Sequence, residues 1–200
     1  LILKNAGQWE PAADEKLQTL AATLMKDHPD DKVIIFTQFA DTARYLKRQL
    51  SAMGVERIEG VTGDSSDPTL SAWRFSPVSN GKRDEVAPHD ELRVIIATDV
   101  LSEGQNLQDC HIVVNYDLPW AIIRLIQRAG RVDRIGQEAD TILCYSFLPA
   151  EGVEKIIHLR SRVRNRLKEN QEVVGADELF FEDQRDEVMA LDDLYNEKAG

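Results

Sequence analysis

The chain has 200 residues, which suits one domain with an appendage better than two full domains. Its hydrophobic content of 42% and aromatic content of 6% are ordinary for a globular protein. No stretch reaches the roughly 18 apolar residues of a membrane-spanning helix, so a membrane partner is not expected. Because the chain begins at Leu1 and not at Met, we expect it to be part of a longer protein.

Negative charge is concentrated at one end of the chain. The formal net charge is −11, and residues 169–200 hold 11 acidic and 2 basic residues. The other residues carry 22 basic and 24 acidic side chains, so the body of the chain is nearly neutral. The overall charge argues against a nucleic-acid partner, but its distribution weakens that objection.

Two cysteines, Cys110 and Cys144, lie among apolar residues where strands are predicted. So few thiols indicate a reducing compartment, and we expect a cytoplasmic protein. Neither these cysteines nor the 4 histidines have metal-ligand spacing, so no metal site is predicted. We interpret the cysteines as small buried hydrophobic residues.

Short apolar runs alternate with amphipathic segments along the chain. Strands are predicted at residues 33–36, 57–61, 94–97, 112–115 and 141–147. Helices are predicted at residues 14–28, 41–52, 120–132 and 151–168. The polar stretch 76–91 contains prolines and a glycine and is predicted to be a surface loop. This alternation predicts an α/β fold whose parallel sheet, of about five to six strands, has helices on both faces.

These patterns also predict the domain boundaries. Residues 1–13 are predicted to be a linker, residues 14–168 the α/β domain and residues 169–200 an acidic extension. Part of the extension has helical apolar spacing, so it is either a helix that docks on a neighbour or a loosely held tail. The basic residues of the helix at 151–168 either attract nucleic acid or pair with this acidic segment.

Three arginines recur at a spacing of three in residues 127–134, Gln-Arg-Ala-Gly-Arg-Val-Asp-Arg. On a helix end, Arg128, Arg131 and Arg134 are expected to fan along one face and reach a common point. Guanidinium groups beside a glycine suit phosphate, because each presents several donors in a rigid fork. The alternative is a set of solvated arginines on an amphipathic helix.

Polar and small residues follow three of the predicted strands. Residues 96–107, Ile-Ala-Thr-Asp-Val-Leu-Ser-Glu-Gly-Gln-Asn-Leu, leave a buried strand directly, and Gly104 permits a close backbone approach to a ligand. Thr37 and Gln38 follow the first strand, and Thr62 and Gly63 follow the second. Ligands bind at the carboxyl ends of parallel strands, so these residues are candidates for a site.

Together these blocks resemble superfamily-two helicases. Residues 127–134 resemble motif VI, residues 96–107 motif V and residues 33–39 motif IV. The continuation Asp-Arg-Ile-Gly-Gln at 133–137 is similar to the Swi/Snf branch, including bacterial RapA-like motors. The resemblance covers residues 32–150 and extends to 14–168, but Ala121-Ile122 stands where relatives commonly have Asn-Pro. It implies the second RecA-like lobe of an ATP-dependent nucleic-acid translocase in the bacterial cytoplasm.

The resemblance also implies roles for individual residues. Arg131 and Arg134 are expected to be arginine fingers, and Gln127 to help place the γ-phosphate or the attacking water. Gly104 and Asn106 are expected at the nucleotide ribose, with Arg128 tying motif VI to motif V through Asp99. Contacts with the nucleic-acid backbone are expected from Thr37, Gln38, Thr62, Gly63, Thr98 and Ser102.

No Gly-x-x-x-x-Gly-Lys-Ser/Thr phosphate loop occurs in the sequence, and Asp90-Glu91 precedes a strand instead of following one. The resemblance therefore implies that ATP and Mg²⁺ are held mainly by an N-terminal RecA-like lobe of the same protein. This chain alone is predicted to be inactive.

The expected track is nucleic acid, most simply double-stranded DNA, and an RNA-directed motor is one alternative. A second alternative is a degenerate helicase lobe that acts as a non-catalytic scaffold, against which the intact arginines argue. A third is a Rossmann-type nucleotide-binding domain, but no Gly-x-Gly-x-x-Gly follows the first strand.

Overall fold

The computed structural model describes residues 10–102, 105–119 and 123–147, without the side chains of Val100, Ser102 and Ile123. The helices are α1 (Glu15–Ala22, continued by a π-helical turn at Thr23–Asp27), α2 (Ala40–Ala52), α3 (Pro68–Phe75) and α4 (Ile123–Ala129). The strands are β1 (Val33–Phe36), β2 (Ile58–Val61), β3 (Val94–Ala97), β4 (Ile112–Asn115) and β5 (Leu143–Ser146). Across these ranges, no helix is long and apolar enough to span a bilayer.

The strands form one parallel sheet in the order β2-β3-β1-β4-β5. The central strand β1 places Val33 opposite Val94 of β3 and Ile112 of β4. All residues of β1, β3 and β4 are buried, because both faces of a parallel sheet are covered. The predicted α/β fold with a parallel sheet is confirmed, with five strands.

Two hydrophobic clusters cover the two faces, because successive strand residues point to opposite sides. On one face, Val33 and Ile35 pack in a cluster with residues of α1 and α2. On the other face, Ile34 and Phe36 pack in a cluster with residues of α3 and with Val132, which follows α4. Helices on both faces are therefore confirmed as well.

Local polar contacts fix both ends of the first helical segment. The Asp14 carboxylate accepts a hydrogen bond from the Leu17 backbone N–H at 3.1 Å, which is the predicted helix cap. At the other end, the buried Arg93 guanidinium donates to the carbonyl oxygens of Leu24 (3.3 Å) and His28 (3.0 Å). Arg93 thus satisfies carbonyls that a helix end leaves without partners.

The helix α3 was not predicted from the sequence. Asp67 caps it by accepting from Leu70 N–H at 2.8 Å, and Pro68 occupies its first turn, where a missing N–H costs nothing. The helix has 8 residues, and the hydrophobic residues that it buries are Ala72 and Phe75. The predicted loop at residues 76–91 does follow it and contains turns but neither helix nor strand.

The helix α4 ends earlier than predicted. It was expected to reach Val132, but it ends at Ala129, and Gly130 to Val132 form turns. A glycine weakens a helix, and here the chain leaves the helical path at Gly130. Arg128 is therefore the helical arginine of the three, which corrects the prediction that all three share one helix face.

Several predictions concern residues outside the described ranges. These are the helix at 151–168, the acidic extension at 169–200, most of the linker at 1–13, the start of the helix at residues 120–122, and Gly104.

Candidate functional site

Residues from four strands meet at the carboxyl edge of the sheet. Gln38, Gly63, Thr98 and Asp117 each follow the end of a different strand, from β1 to β4. Gly63 is exposed, whereas Gln38, Thr98 and Asp117 are partly exposed. Because the strands are parallel, these polar groups occupy one edge, where α/β proteins bind ligands.

Thr37 is fully buried, and its hydroxyl donates to the Asp117 carboxylate. The same carboxylate accepts from the Gln38 backbone N–H at 3.3 Å and lies 3.5 Å from the Lys16 ammonium. A direct contact between the Thr37 side chain and nucleic acid does not fit this geometry, because the side chain is enclosed and its hydroxyl is already engaged. Thr37 instead holds Asp117, a residue that sequence reasoning missed.

The other residues predicted to contact the nucleic-acid backbone differ in their exposure. Thr62 is buried and its backbone N–H donates to Ser65 Oγ at 2.9 Å, while the adjacent Gly63 has open space beside its Cα. Thr98 is partly exposed, and its backbone N–H is bonded to the Val61 carbonyl at 3.0 Å. Gly63 and Thr98 thus remain available at the surface. The partly exposed Gln38 side chain already donates to the Leu118 carbonyl at 2.9 Å, and the side chain of Ser102 lies outside the described atoms.

Arg128 is the largest fully buried side chain of the described core. Its Nε and Nη2 atoms donate to Asp99 Oδ1 at 3.1 and 2.9 Å, and its Nη1 donates to Asn115 Oδ1 at 3.1 Å. The guanidinium carbon lies 5.1 Å from the centroid of the Phe36 ring, within cation–π range. The contact between Arg128 and Asp99 that the sequence suggested is present, and it connects α4 to the segment after β3.

Asp99 is partly exposed and connects the buried Arg128 to the surface. Its second oxygen, Oδ2, lies 2.5 Å from Nη1 of Arg124, whose side chain is 52% exposed. Arg124 and Arg128 are one helical turn apart on α4, so both reach the same carboxylate from one face. Asp99 is therefore held by two guanidinium groups, one in solvent and one in the core.

Arg131 and Arg134 have surroundings unlike those of Arg128. Arg131 is partly exposed and Arg134 is exposed, and among the described residues neither forms an ion pair with a carboxylate. Nη1 of Arg134 donates to Asn106 Oδ1 at 2.8 Å. Gln127, the other predicted catalytic residue, is exposed on α4.

Asn106 is itself fixed by the loop that follows α3. Its Nδ2 donates to the Ser79 carbonyl at 3.2 Å, and its own carbonyl accepts from Asn80 Nδ2 at 2.8 Å. Farther along the same segment, the Asp109 carboxylate accepts from the backbone N–H groups of Val78 (2.7 Å) and Ser79. The loop at 76–91, predicted only as a surface connection, therefore supports the candidate nucleotide residue.

The cysteines have no visible role at this site. Cys110 is buried, and burial raises the pKa of its thiol to about 12, so the reactive thiolate is suppressed. It does not form a disulfide with Cys144. Within the described ranges, no group of three His, Cys, Asp or Glu side chains is arranged to hold a metal ion.

Residues 15–136 match the helicase conserved C-terminal domain, a match that covers more than half of the chain. The chain belongs to this family. The helicase C-terminal domain is similar to an uncharacterised ATP-dependent helicase of Bacillus subtilis, YqhH, with 36% identity over 148 residues that cover 73% of this chain and 24% of the relative. It is also similar to the ATP-dependent RNA helicase DBP8 of Vanderwaltozyma polyspora, with 29% identity over 150 residues, covering 74% of this chain and 31% of the relative.

Solved structures agree with the fold. The C-terminal part of the Fun30 ATPase domain matches with a TM-score of 0.57 and 21% identity, covering 72% of this chain and 43% of that one. Saccharomyces cerevisiae Dbp5 bound to RNA and ADP BeF3 matches with a TM-score of 0.54 and 24% identity, covering 74% and 36%. These likenesses support the RecA-like α/β fold of the helicase C-terminal domain. The domain spans about a quarter to a third of the curated relatives described above.

Proposed function

We propose that this helicase C-terminal domain is the second motor lobe of an ATP-dependent DNA translocase of the Swi/Snf type. The observation that carries the proposal is the contrast within motif VI. Arg128 is buried against Asp99, whereas Arg131 and Arg134 lie on a surface loop and form no ion pair among the described residues. Guanidinium groups held at a surface without a carboxylate suit a phosphate supplied from outside the domain.

In this proposal, ATP and Mg²⁺ are bound mainly by an N-terminal RecA-like lobe of the same protein. Closure of the two lobes brings Arg131 and Arg134 to the γ-phosphate, where their charge stabilises the transition state. Gln127, which is exposed on the same helix as Arg128, helps to place the γ-phosphate or the attacking water. Gly104 and Asn106 approach the ribose from the segment after β3.

The carboxyl edge of the sheet would hold the track. Gln38, Gly63 and Thr98 lie there as exposed or partly exposed groups that can bond phosphate oxygens without reading bases. The ion pair between the buried Arg128 and the partly exposed Asp99 connects this edge to motif VI, and so would couple grip on the track to hydrolysis. We place the domain within residues 14–168 and treat residues 169–200 as a separate extension.

DNA is the proposed track because the continuation Asp-Arg-Ile-Gly-Gln at 133–137 is similar to the Swi/Snf branch. An RNA-directed motor is the second candidate, since relatives that match over 74% of this chain are RNA helicases. A comparison of ATPase activity of the full-length protein with duplex DNA, duplex RNA and single strands separates the two. Stimulation by RNA alone would replace the DNA proposal with the RNA one.

The motor proposal itself is tested by Arg131→Ala in the full-length protein. We expect stimulated ATPase activity to fall by roughly 10³-fold, the lower end for arginine fingers. Wild-type activity of this variant and of Arg134→Ala would favour a non-catalytic scaffold. The chain studied alone is expected to show no ATPase activity and weak, salt-sensitive DNA binding, and robust turnover by it would contradict the shared site.

A further inference from the structure

The arginine loop, residues 130–137, runs beside residues 106–110, the last part of the segment between β3 and β4. Leu107 N–H donates to the Arg131 carbonyl at 3.3 Å, and Gln108 Nε2 donates to the Ile135 carbonyl at 2.7 Å. Arg134 bonds the Asn106 side chain. Three contacts thus join the two segments within residues 106–108 and 131–135.

Gln137 supplies the last and most extensive of these contacts. Its Nε2 donates to the carbonyls of Cys110 at 2.9 Å and Val132 at 3.0 Å, and its Oε1 accepts from Ala139 N–H at 2.9 Å. One primary amide therefore uses both of its N–H donors and one acceptor position. Two of these bonds close residues 132–139 into a loop, and the third fixes that loop to Cys110, two residues before β4.

The position of Arg134 depends on this closure. Val132 is buried in the core, and Gln137 is anchored through its side chain, so Arg134 lies between two fixed points. The Gln137 backbone N–H also donates to the Arg134 carbonyl at 3.0 Å. The turn includes Gly136, whose φ of +99° is in the left-handed region that favours glycine. Because Arg134 itself is exposed, its own packing does not hold it in place.

We propose that Gln137 is the positioning residue for Arg134, since its side-chain amide closes the arginine loop and holds it on the segment before β4. The inference rests on the proposed function, because it gives Arg134 a catalytic target. It names a residue that acts through another and does not touch the nucleotide. A shift of about 1 Å in a catalytic group is enough to reduce a rate by roughly 100-fold.

The test uses the same substitution at three glutamines of the full-length protein. Gln137→Glu keeps the acceptor for Ala139 N–H but places an oxygen against two carbonyl oxygens. Gln108→Glu removes the exposed bond to the Ile135 carbonyl. Gln18→Glu is the matched control, because Gln18 Nε2 donates to the Pro11 carbonyl at 3.1 Å on an exposed surface of α1.

We expect Gln137→Glu to lower kcat of the stimulated ATPase by roughly 10- to 100-fold, with the KM for ATP and the Kd for DNA nearly unchanged. Gln108→Glu is expected to lower kcat less, and Gln18→Glu not at all. The deciding measurement repeats Gln137→Glu and Gln108→Glu in an Arg134→Ala background. If these residues act through Arg134, their substitution changes kcat of the Arg134→Ala protein by no more than about twofold.

Equal losses of kcat in both backgrounds, or no loss in either, would overturn the positioning role and leave the proposed function intact. Wild-type kcat of Arg134→Ala would instead overturn the arginine-finger assignment, and this inference with it. If Gln137→Glu lowers the Tm so far that the protein is not folded, Gln137→Met replaces it. Methionine removes the amide hydrogen bonds without placing a charge against the two carbonyls, and its effect on kcat must likewise vanish without Arg134.

Discussion

Arg128 and Arg134 are two arginines of one motif, six positions apart, and the fold treats them in opposite ways. Arg128 is 0% exposed and makes hydrogen bonds to Asp99 and Asn115. Arg134 is exposed, and within the described residues its side chain bonds one neutral side chain, that of Asn106. The end of α4 at Ala129 separates them, because Arg128 lies on the helix and Arg134 lies in the loop that follows it.

The difference shows that a repeated residue type does not imply a repeated role. A buried guanidinium must have all of its charge compensated within the domain, or its desolvation destabilises the fold. A guanidinium at the surface has no such requirement and remains able to bind a ligand. Arg128 therefore belongs to the structure of the site, whereas Arg131 and Arg134 remain able to serve the catalytic role proposed for them.

The largest expected effect is that of Arg134→Ala on turnover. In the full-length protein, we expect kcat to fall by about 10³-fold or more, because an arginine finger stabilises charge in the transition state. The free energy of unfolding should change by less than about 0.5 kcal/mol, since the side chain is exposed. Stimulated ATPase assays and urea unfolding of the same preparation measure both. If the free energy of unfolding fell enough to explain the loss of kcat, Arg134 would have a structural role like that of Arg128.

Arg128→Met is expected to have the largest effect on stability. The substitution removes the buried partner of Asp99 and leaves Asn115 Oδ1 without its donor, so the free energy of unfolding should fall by about 3 kcal/mol. We take the lower part of the usual range because the Asp99 side chain is 29% exposed and keeps Arg124. Urea unfolding of the isolated domain measures the change.

Arg124→Met is the matched control for Arg128→Met. It removes the other guanidinium bound to Asp99, one turn earlier on the same helix. Because the Arg124 side chain is 52% exposed, solvent screens the pair, and the expected loss is about 0–1 kcal/mol. Equal losses from the two substitutions would show that burial does not distinguish these arginines.

Part of this arrangement was predictable from local sequence. The continuous apolar runs of β1, β3 and β4 predicted buried parallel strands, and Asp14 predicted the start of α1. These signals depend on neighbours in the chain. The helix α3 was missed even though Asp67 and Pro68 form a usual helix start, because it is short and buries little.

The site was less predictable, since its contacts join distant parts of the chain. Thr37 and Asp117 are 80 positions apart, and Gln137 and Cys110 are 27 positions apart. Thr37 follows a strand, as a ligand-binding threonine would, and the sequence alone does not reveal that it is buried and bonded to a carboxylate. The motifs predict a candidate site, but only the fold shows which of their polar groups are already engaged.

Thr37→Val extends the comparison to a buried side chain that is polar but uncharged. Valine has nearly the same shape but no hydroxyl, so the Asp117 carboxylate loses a buried donor. We expect the free energy of unfolding to fall by about 1–2 kcal/mol. Thr19→Val is the control, because the Thr19 hydroxyl donates to the Glu15 carbonyl on an exposed face of α1. If Thr37→Val left stability unchanged but weakened DNA binding, Thr37 would be a ligand contact after all.

Glu91 tests the same principle with a charge of intermediate exposure. Its carboxylate lies 2.5 Å from the Lys32 ammonium and also bonds Arg83, and its side chain is 17% exposed. Burial opposes ionisation of this carboxyl, but the hydrogen bonds from Lys32 and Arg83 outweigh it and lower its pKa below the ordinary value of 4.5.

A carboxyl whose pKa is lower in the folded state stabilises the fold at a pH above its unfolded value, and this contribution is lost as the pH falls through the folded value. Glu91→Gln should therefore lower the urea midpoint at pH 7, and the difference from wild type should shrink as the pH drops below 4.5. Urea unfolding at several pH values measures this difference. A constant difference across that range would mean that Glu91 contributes through packing and not through its charge. Partial exposure would then be enough to remove the electrostatic stabilisation that a buried charge such as Arg128 provides and an exposed one such as Arg134 does not.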